Sequence, residues 1–225
     1  MKTAAIIVAA GSGSRFGSDT PKQFLEINGK PVIAYTIDRF QAAPSVDSII
    51  VVLAPDRVND FDRPVCSKPI SFVAGGNTRA ASTFNGLKAA KEDTEIVAVH
   101  DGARPLVTVE EIEATIAKAK ETGAACLVAP VTDTIKSIRG GEIAATLVRD
   151  KLRRALTPQA FNIEVLKAAF SEPEHDTATD ECYLVEKLGH PIAIVEGSPR
   201  NIKITHPEDL IVAEALLGKQ LTANS

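Results

Sequence analysis

Two cations, Arg15 and Lys22, fall within eight residues in the stretch AAGSGSRFGSDTPKQF (9–24), which follows at once on the apolar run AAIIV. Glycines at such a turn let backbone N–H groups approach phosphate oxygens closely. An arginine fork can hold two of those oxygens, and a lysine adds a compact charge. Pro21 fixes its own φ and restricts Thr20, which stiffens the approach to Lys22. Two established glycine loops are excluded. The string G-x-x-x-x-G-K-[ST] of a P-loop is absent, and Gly11, Gly13 and Gly17 give G-x-G-x-x-x-G, not the dinucleotide fingerprint G-x-G-x-x-G. No acidic residue ends the second strand, where VVLAP is apolar. A glycine turn with two cations suits a triphosphate; taken alone, these residues also fit a solvated loop with no ligand.

Three further places could join that chemistry. Asp101 follows the apolar run EIVAV, at the carboxyl end of an expected strand, and suits a ribose hydroxyl or a metal, or else a turn bonded to its own backbone. Gly75 and Gly76 end another apolar run, where bare peptide groups could read a base, with Ser82 in the helix that follows. Lys203 lies in NIKIT, expected as a short strand; an inward lysine there requires an anion, and an outward one requires nothing. His100 suits packing rather than catalysis, and Arg104 before Pro105 suits a structural role.

The elements that must position these residues are legible as alternating patterns. Ala4–Ala9, Ser48–Leu53, Ile70–Ala74, Glu95–Val99 and Ala124–Ala129 are short continuous apolar runs of the buried-strand type. Amphipathic segments near 31–43, 77–91 and 108–122 separate them, so the expected fold is α/β, a mostly parallel sheet covered by helices on both faces. Ligands in such a sheet bind beyond the strand carboxyl ends. Thr108 with Glu111, and Thr205 with Glu208, fit capping boxes, and Asn77 fits an N-cap. The segment 133–157 breaks the rhythm: DTIKSIRGGEIAATLVR reads as two strands around Gly140–Gly141, a projecting arm suited to a dimer contact or to a plain surface hairpin. The 225 residues suit one domain, 1–225, with that arm inserted.

Composition limits the partners. A formal net charge of −4 disfavours non-specific binding to nucleic acid or an anionic membrane. The three cysteines, Cys66, Cys126 and Cys182, form no C-x-x-C, which fits a reducing, cytoplasmic setting without structural zinc. No apolar stretch approaches the ~20 residues that span a bilayer, and the run Ala4–Ala10 reads as a strand, not a secretory signal.

The first loop resembles the signature of nucleotidyltransferases that activate sugar or alditol phosphates. With GGNTRAAS (75–82), HDGARP (100–105), DTIK (133–136), ALTPQAF (155–161), TDE (179–181) and NIKIT (201–205) following in order, the chain resembles the 2-C-methyl-D-erythritol 4-phosphate cytidylyltransferase family of the non-mevalonate isoprenoid pathway from residue 3 to about 217. The resemblance implies a single Rossmann-like domain, a β-arm that builds a homodimer, CTP and a polyol phosphate as substrates, and Mg²⁺ or another divalent cation as cofactor; it leaves the metal ligands unknown. Carried over by motif, Arg15, Lys22, Arg149 and Lys203 would be catalytic. Ala9, Ala10, Gly11, Ser12, Gly13, Gly75, Gly76, Asn77, Arg79, Ser82, Asp101 and Gly102 would join Arg15 and Lys22 in binding nucleotide. Asp101, Thr134, Arg149, Thr157, Thr179 and Lys203 would bind the acceptor, Thr134 and Arg149 from the partner's arm. The arm departs from the family: Val148 stands where Asp is more frequent, and Arg153 where an aromatic is. A ribitol-phosphate cytidylyltransferase is similar throughout, with AAG and TDE favouring the first reading, and a non-catalytic nucleotide sensor is the alternative of another class.

Overall fold

Continuous apolar runs need cover on both sides, and the sheet supplies it. The computed structural model describes residues 1–11, 16, 20–62, 64–172 and 178–223, with side chains to 218. Strands β1 (Lys2–Ala9), β4 (Ser48–Leu53), β5 (Ile70–Ala74), β6 (Thr94–Asp101), β7 (Ala124–Pro130), β10 (Arg153–Asn162) and β11 (Ala193–Glu196) form one sheet in the order β11-β7-β10-β6-β1-β4-β5. All its pairings are parallel except those of β10, which runs antiparallel to both β6 and β7. The small ladder β2 (Glu26–Ile27) with β3 (Lys30–Pro31) follows the first loop.

Alternation along β1 divides two cores. Ala4 and Ile6 face α2 (Arg79–Lys88), α4 (Ile163–Ser171) and α5 (Glu181–Lys187), which bury Leu87, Leu166 and Val185. Ala5 and Ile7 face α1 (Val32–Ala42) and α3 (Val109–Thr122), which bury Ile37, Phe40, Ile112 and Ile116. A third cluster, Ile27, Val32, Ala103, Leu106, Ile204, Ala213 and Leu217, fastens α6 (Pro207–Ala223) near the carboxyl ends of the strands.

Thr108 and Glu111 form the expected capping box on α3. The other two caps differ from expectation. Thr78, not Asn77, caps α2, since its hydroxyl accepts from Ala81 N–H three residues on. At α6, Pro207 takes the first helical position, which suits its missing N–H, and the Thr205 hydroxyl donates to Lys203 O (3.1 Å) instead of forming the expected box. Asp209, not Glu208, accepts the backbone N–H of Thr205 (2.7 Å) and His206 (2.8 Å).

The arm is present but shorter than 133–157. Strands β8 (Lys136–Arg139) and β9 (Glu142–Thr146) pair around Gly140 and Gly141 at φ 60° and 86°, the two positive angles that a two-residue type I′ turn requires. From Arg153 the chain rejoins the main sheet as β10. The sequence hid this strand because Thr157, Pro158 and Gln159 interrupt its apolar run. They sit at a break in the register between Ala155 and Gln159.

Candidate active site

The strand order reverses at β1: β4 and β5 continue to one side, then β6 returns to the other. Such a switch point leaves a crevice at the carboxyl ends. Here it is an open cleft of about 430 Å³, and its lining includes Ala9, Ala10, Gly11, Lys22, Gly76, Asn77, Arg79, Ser82, Asp101 and Lys203. The chain thus brings together residues from four separate motifs. Ser12, Gly13 and Arg15 lie outside the described residues.

The base of the first loop is tied by a side chain to which sequence reasoning gave no role. Gln23 is 2% exposed, and its Nε2 donates to the carbonyls of Ala9 (2.7 Å) and Gly11 (2.9 Å). One amide therefore joins the two ends of the loop and holds Lys22 at the cleft. Only its place in PKQF signalled it, because its partners are backbone atoms.

Across the cleft, Gly75 is a close-approach glycine: a Cβ there would lie 2.3 Å from Ala10 Cβ and 2.8 Å from Ser82 Oγ. Ser82 is buried, accepts from Gly76 N–H (3.1 Å) and donates to Thr78 O (2.8 Å), so it fixes the glycine turn. Gly102, next to Asp101, is not in the lining; its N–H is on Val8 O (2.9 Å) and its carbonyl accepts from Thr36 Oγ1 (3.2 Å).

Asp101, 6% exposed, is the centre of charge. Oδ1 receives Arg79 Nε (3.2 Å); Oδ2 receives Arg104 Nε (3.2 Å) and Lys203 Nζ (3.0 Å). Burial alone would raise the pKa of its carboxyl, but Arg79, Lys203 and Arg104 outweigh it and hold the group well below the usual carboxylate range. Arg79 also reaches Glu181 Oε1 through Nη1 at 2.7 Å. Burial disfavours its charge, and the two carboxylates more than restore it. Three cations face two carboxylates here, and Lys22 lines the same cleft. Lys203 is inward, as its anion requirement implies, but residues 201–205 are irregular chain and not a strand; Ile204 N–H bonds Ala103 O at 2.9 Å. Arg104 holds the segment too, donating to Asn201 O (2.8 Å).

Thr157 stands beneath this cluster and not in the lining. It is 3% exposed, and Asp101 N–H donates to its Oγ1 at 3.2 Å. The Arg104 carbonyl can only accept, so His100 Nε2 carries the proton that meets it (3.2 Å), and His100 Nδ1 accepts from Thr157 (3.0 Å). Burial lowers the His100 pKa to about 3, so the imidazole is a neutral spacer. Thr157, expected among the acceptor-binding residues, here supports Asp101 from beneath, its hydroxyl engaged by the Asp101 N–H and by His100.

Thr179, Thr134 and Arg149 are not part of this lining. Thr179 is exposed, just before Asp180, the N-cap of α5. Thr134 and Arg149 are exposed at the root of the arm, where Arg149 Nη1 donates to Thr132 O (3.1 Å). Arg153, at the position where the family often has an aromatic, pairs with Glu196 of β11 at 2.7 Å. Among the described residues no group of three His, Cys, Asp or Glu could hold a metal ion.

Comparison with known proteins agrees with this geometry. A family model described as 2-C-methyl-D-erythritol 4-phosphate cytidylyltransferase matches residues 3–219. The protein of that name from Alkaliphilus oremlandii is 43% identical over 224 residues, 96% of this chain and 95% of that one. Its counterpart from Pelotomaculum thermopropionicum is 44% identical over 224 residues, 96% and 94% of the two chains. Among solved structures, 4-diphosphocytidyl-2C-methyl-D-erythritol synthase from Anaerococcus prevotii superposes with a TM-score of 0.82 at 30% identity, covering 96% of each chain. The cytidylyltransferase from Thermus thermophilus gives 0.79 at 34% identity, covering 96% and 98%. A cleft built on a glycine loop, two lysines and a cation-saturated aspartate, in a chain matched end to end, places this protein in the 2-C-methyl-D-erythritol 4-phosphate cytidylyltransferase family.

Proposed function

We propose that this enzyme transfers the cytidylyl group of CTP to 2-C-methyl-D-erythritol 4-phosphate. An acceptor phosphate oxygen attacks the α-phosphorus in line, the α–β P–O bond breaks, and pyrophosphate leaves with the electron pair. The observation that carries this reading is the pairing of Lys22 and Lys203 in one cleft, with Asp101 between the strand ends. A binding-only site has no need of a second cation for a second phosphate. Lys22, with Arg15, takes the triphosphate. Lys203 takes the acceptor phosphate, and Asp101 accepts from the ribose. The peptide groups of Gly75 and Gly76 face the base.

Charge spreads to the equatorial and leaving oxygens in the transition state. Two unit charges about 4 Å apart interact by roughly 4 kcal/mol at an effective dielectric near 20, so fixed cations lower the barrier usefully. A divalent cation fits this cleft as one carried mainly by phosphate oxygens, since Asp101, the carboxylate in the lining, is already engaged by three cations. Bound so, it would neutralise charge on the polyphosphate and the departing pyrophosphate.

The arm supports a homodimer with shared sites. Ile135, Ile138, Ile143, Leu147 and Val148 are 36–65% exposed along it, and an isolated two-stranded hairpin is marginal in water. In a second copy's cleft, Thr134 and Arg149 would complete the acceptor pocket. The three free cysteines suit a cytoplasmic location, and no described helix is long and apolar enough to cross a membrane. Pyrophosphate release tests the reading with CTP or UTP against methylerythritol phosphate or ribitol phosphate. Turnover is expected with CTP and methylerythritol phosphate; turnover with ribitol phosphate alone, or CTP binding without turnover, contradicts it.

A further inference from the structure

Glu181 is 1% exposed, and the proposed chemistry leaves it without a task. Its Oε1 accepts from Arg79 Nη1 (2.7 Å) and Thr83 Oγ1 (2.8 Å), while its buried Oε2 has no hydrogen-bond partner among the described residues. Arg79 is the first residue of α2, where the helix dipole disfavours a cation. A buried ion pair with an unsatisfied oxygen is a poor way to stabilise a fold, since an apolar pair of similar volume commonly does as well or better. The arrangement is nevertheless held firmly. Gln159, buried on β10, accepts from Cys182 N–H (3.0 Å) and donates to Asp180 Oδ2 (2.9 Å), so the sheet itself presents the start of α5 to Arg79.

What this pair controls is direction. With Nη1 on Glu181, Arg79 meets Asp101 through Nε at Oδ1, and Oδ2 is left to Lys203 and Arg104. An arginine released from such a partner prefers the two-pronged grip on a single carboxylate. That grip on Asp101 would compete with Lys203 for Oδ2.

We propose that Glu181 is a positioning residue for the transfer: by occupying Arg79 it reserves one oxygen of Asp101 for Lys203 and so fixes the Lys203 ammonium at the cleft. The inference rests on the reading of Lys203 as the contact to the acceptor phosphate.

The test uses Glu181→Gln, which keeps shape and an acceptor, together with Arg79→Met, the double variant, and Lys203→Ala, each measured for kcat, both KM values and Tm. Glu181→Gln is expected to lower kcat/KM for the acceptor by about tenfold while the KM for CTP moves less than about threefold. In the Arg79→Met background the same change is expected to cost nothing further, because no fork remains to close. Glu181→Asp, which restores the charge, should recover part of the loss, and it replaces Glu181→Gln if that variant fails to fold. Three results would overturn the proposal: acceptor kinetics at the wild-type level, a loss confined to Tm, or losses that multiply in the double variant. If Lys203→Ala leaves turnover intact, the reading of Lys203 falls and this inference with it. If Lys203→Ala abolishes turnover and Glu181→Gln does not disturb it, this inference alone fails.

Discussion

Gly75 and Gly11 separate what the fold needs from what the ligand needs. A Cβ at Gly75 would stand 2.3 Å from Ala10 Cβ, 2.8 Å from Ser82 Oγ and 3.3 Å from Leu53 O. Carbon atoms rest about 3.5–4.0 Å apart, so Ala10 must retreat by more than about 1 Å, and Ala10 lines the cleft. Overpacking of this kind costs about 1–3 kcal/mol. In a chain of this size each kcal/mol lowers Tm by about 2–4 °C, so Gly75→Ala should lose roughly 2–12 °C. A displacement near 1 Å beside the reacting groups costs on the order of 10² in turnover. At Gly11 a Cβ meets no described atom within 4 Å, and the residue is not among those with positive φ. Gly11→Ala should therefore keep its Tm within about 1 °C. Its KM for CTP should still rise by about tenfold, because the added methyl stands where phosphate oxygens approach the backbone. Scanning fluorimetry and pyrophosphate release on both variants check this. A Gly75→Ala enzyme with unchanged Tm and kcat would refute the packing argument. A Gly11→Ala enzyme with unchanged KM would refute the placement of the phosphates.

Two other outcomes follow from the same structure. The folded His100 titrates near 3 because it is buried, whereas its unfolded form titrates near 6.5, so the unfolded chain takes up a proton first. Its contribution is complete above about pH 6.5 and is lost as pH falls, at about 1.4 kcal/mol per pH unit. A His100→Gln variant should show a flatter fall in stability between about pH 6.5 and 4 in denaturant titrations; an unchanged slope speaks against the neutral buried imidazole. Asp101, whose folded pKa is depressed, contributes fully above about pH 4 and loses that contribution below it. Ile138→Asp with Ile143→Asp should convert a dimer to monomer in sedimentation and reduce turnover, since both side chains are more than half exposed on the arm; a fully active monomer contradicts shared sites.

The parallel core was legible because β1, β4, β6 and β7 are buried along most of their length and appear as unbroken apolar runs, and β5, at the sheet edge and only partly buried, keeps the same apolar pattern. β10 was not, because its buried stretch includes the polar Thr157 and Gln159 and the start of the strand is basic. β11 escaped because four residues at a sheet edge carry little pattern. In the site, single residues were readable and their joining was not. Asp101, Arg79 and Lys203 each stood out, but Arg104 and Glu181 gain their meaning only when chain segments far apart in sequence meet around one carboxylate. No spacing rule reports such a meeting. Gln23 was invisible for a related reason: an amide that bonds backbone carbonyls leaves no pairing signal in side-chain types.

The proposed transfer requires one cleft, at the β1–β6 switch point, to grip a nucleoside triphosphate and an acceptor phosphate together. A crystal structure with CTP, magnesium and an unreactive acceptor analogue tests it most directly. The triphosphate is expected against Gly11 and Lys22, and the acceptor phosphate beside Lys203, in line with the α-phosphorus. Nucleotide bound elsewhere, or a Lys203 ammonium turned away from any phosphate, would contradict it.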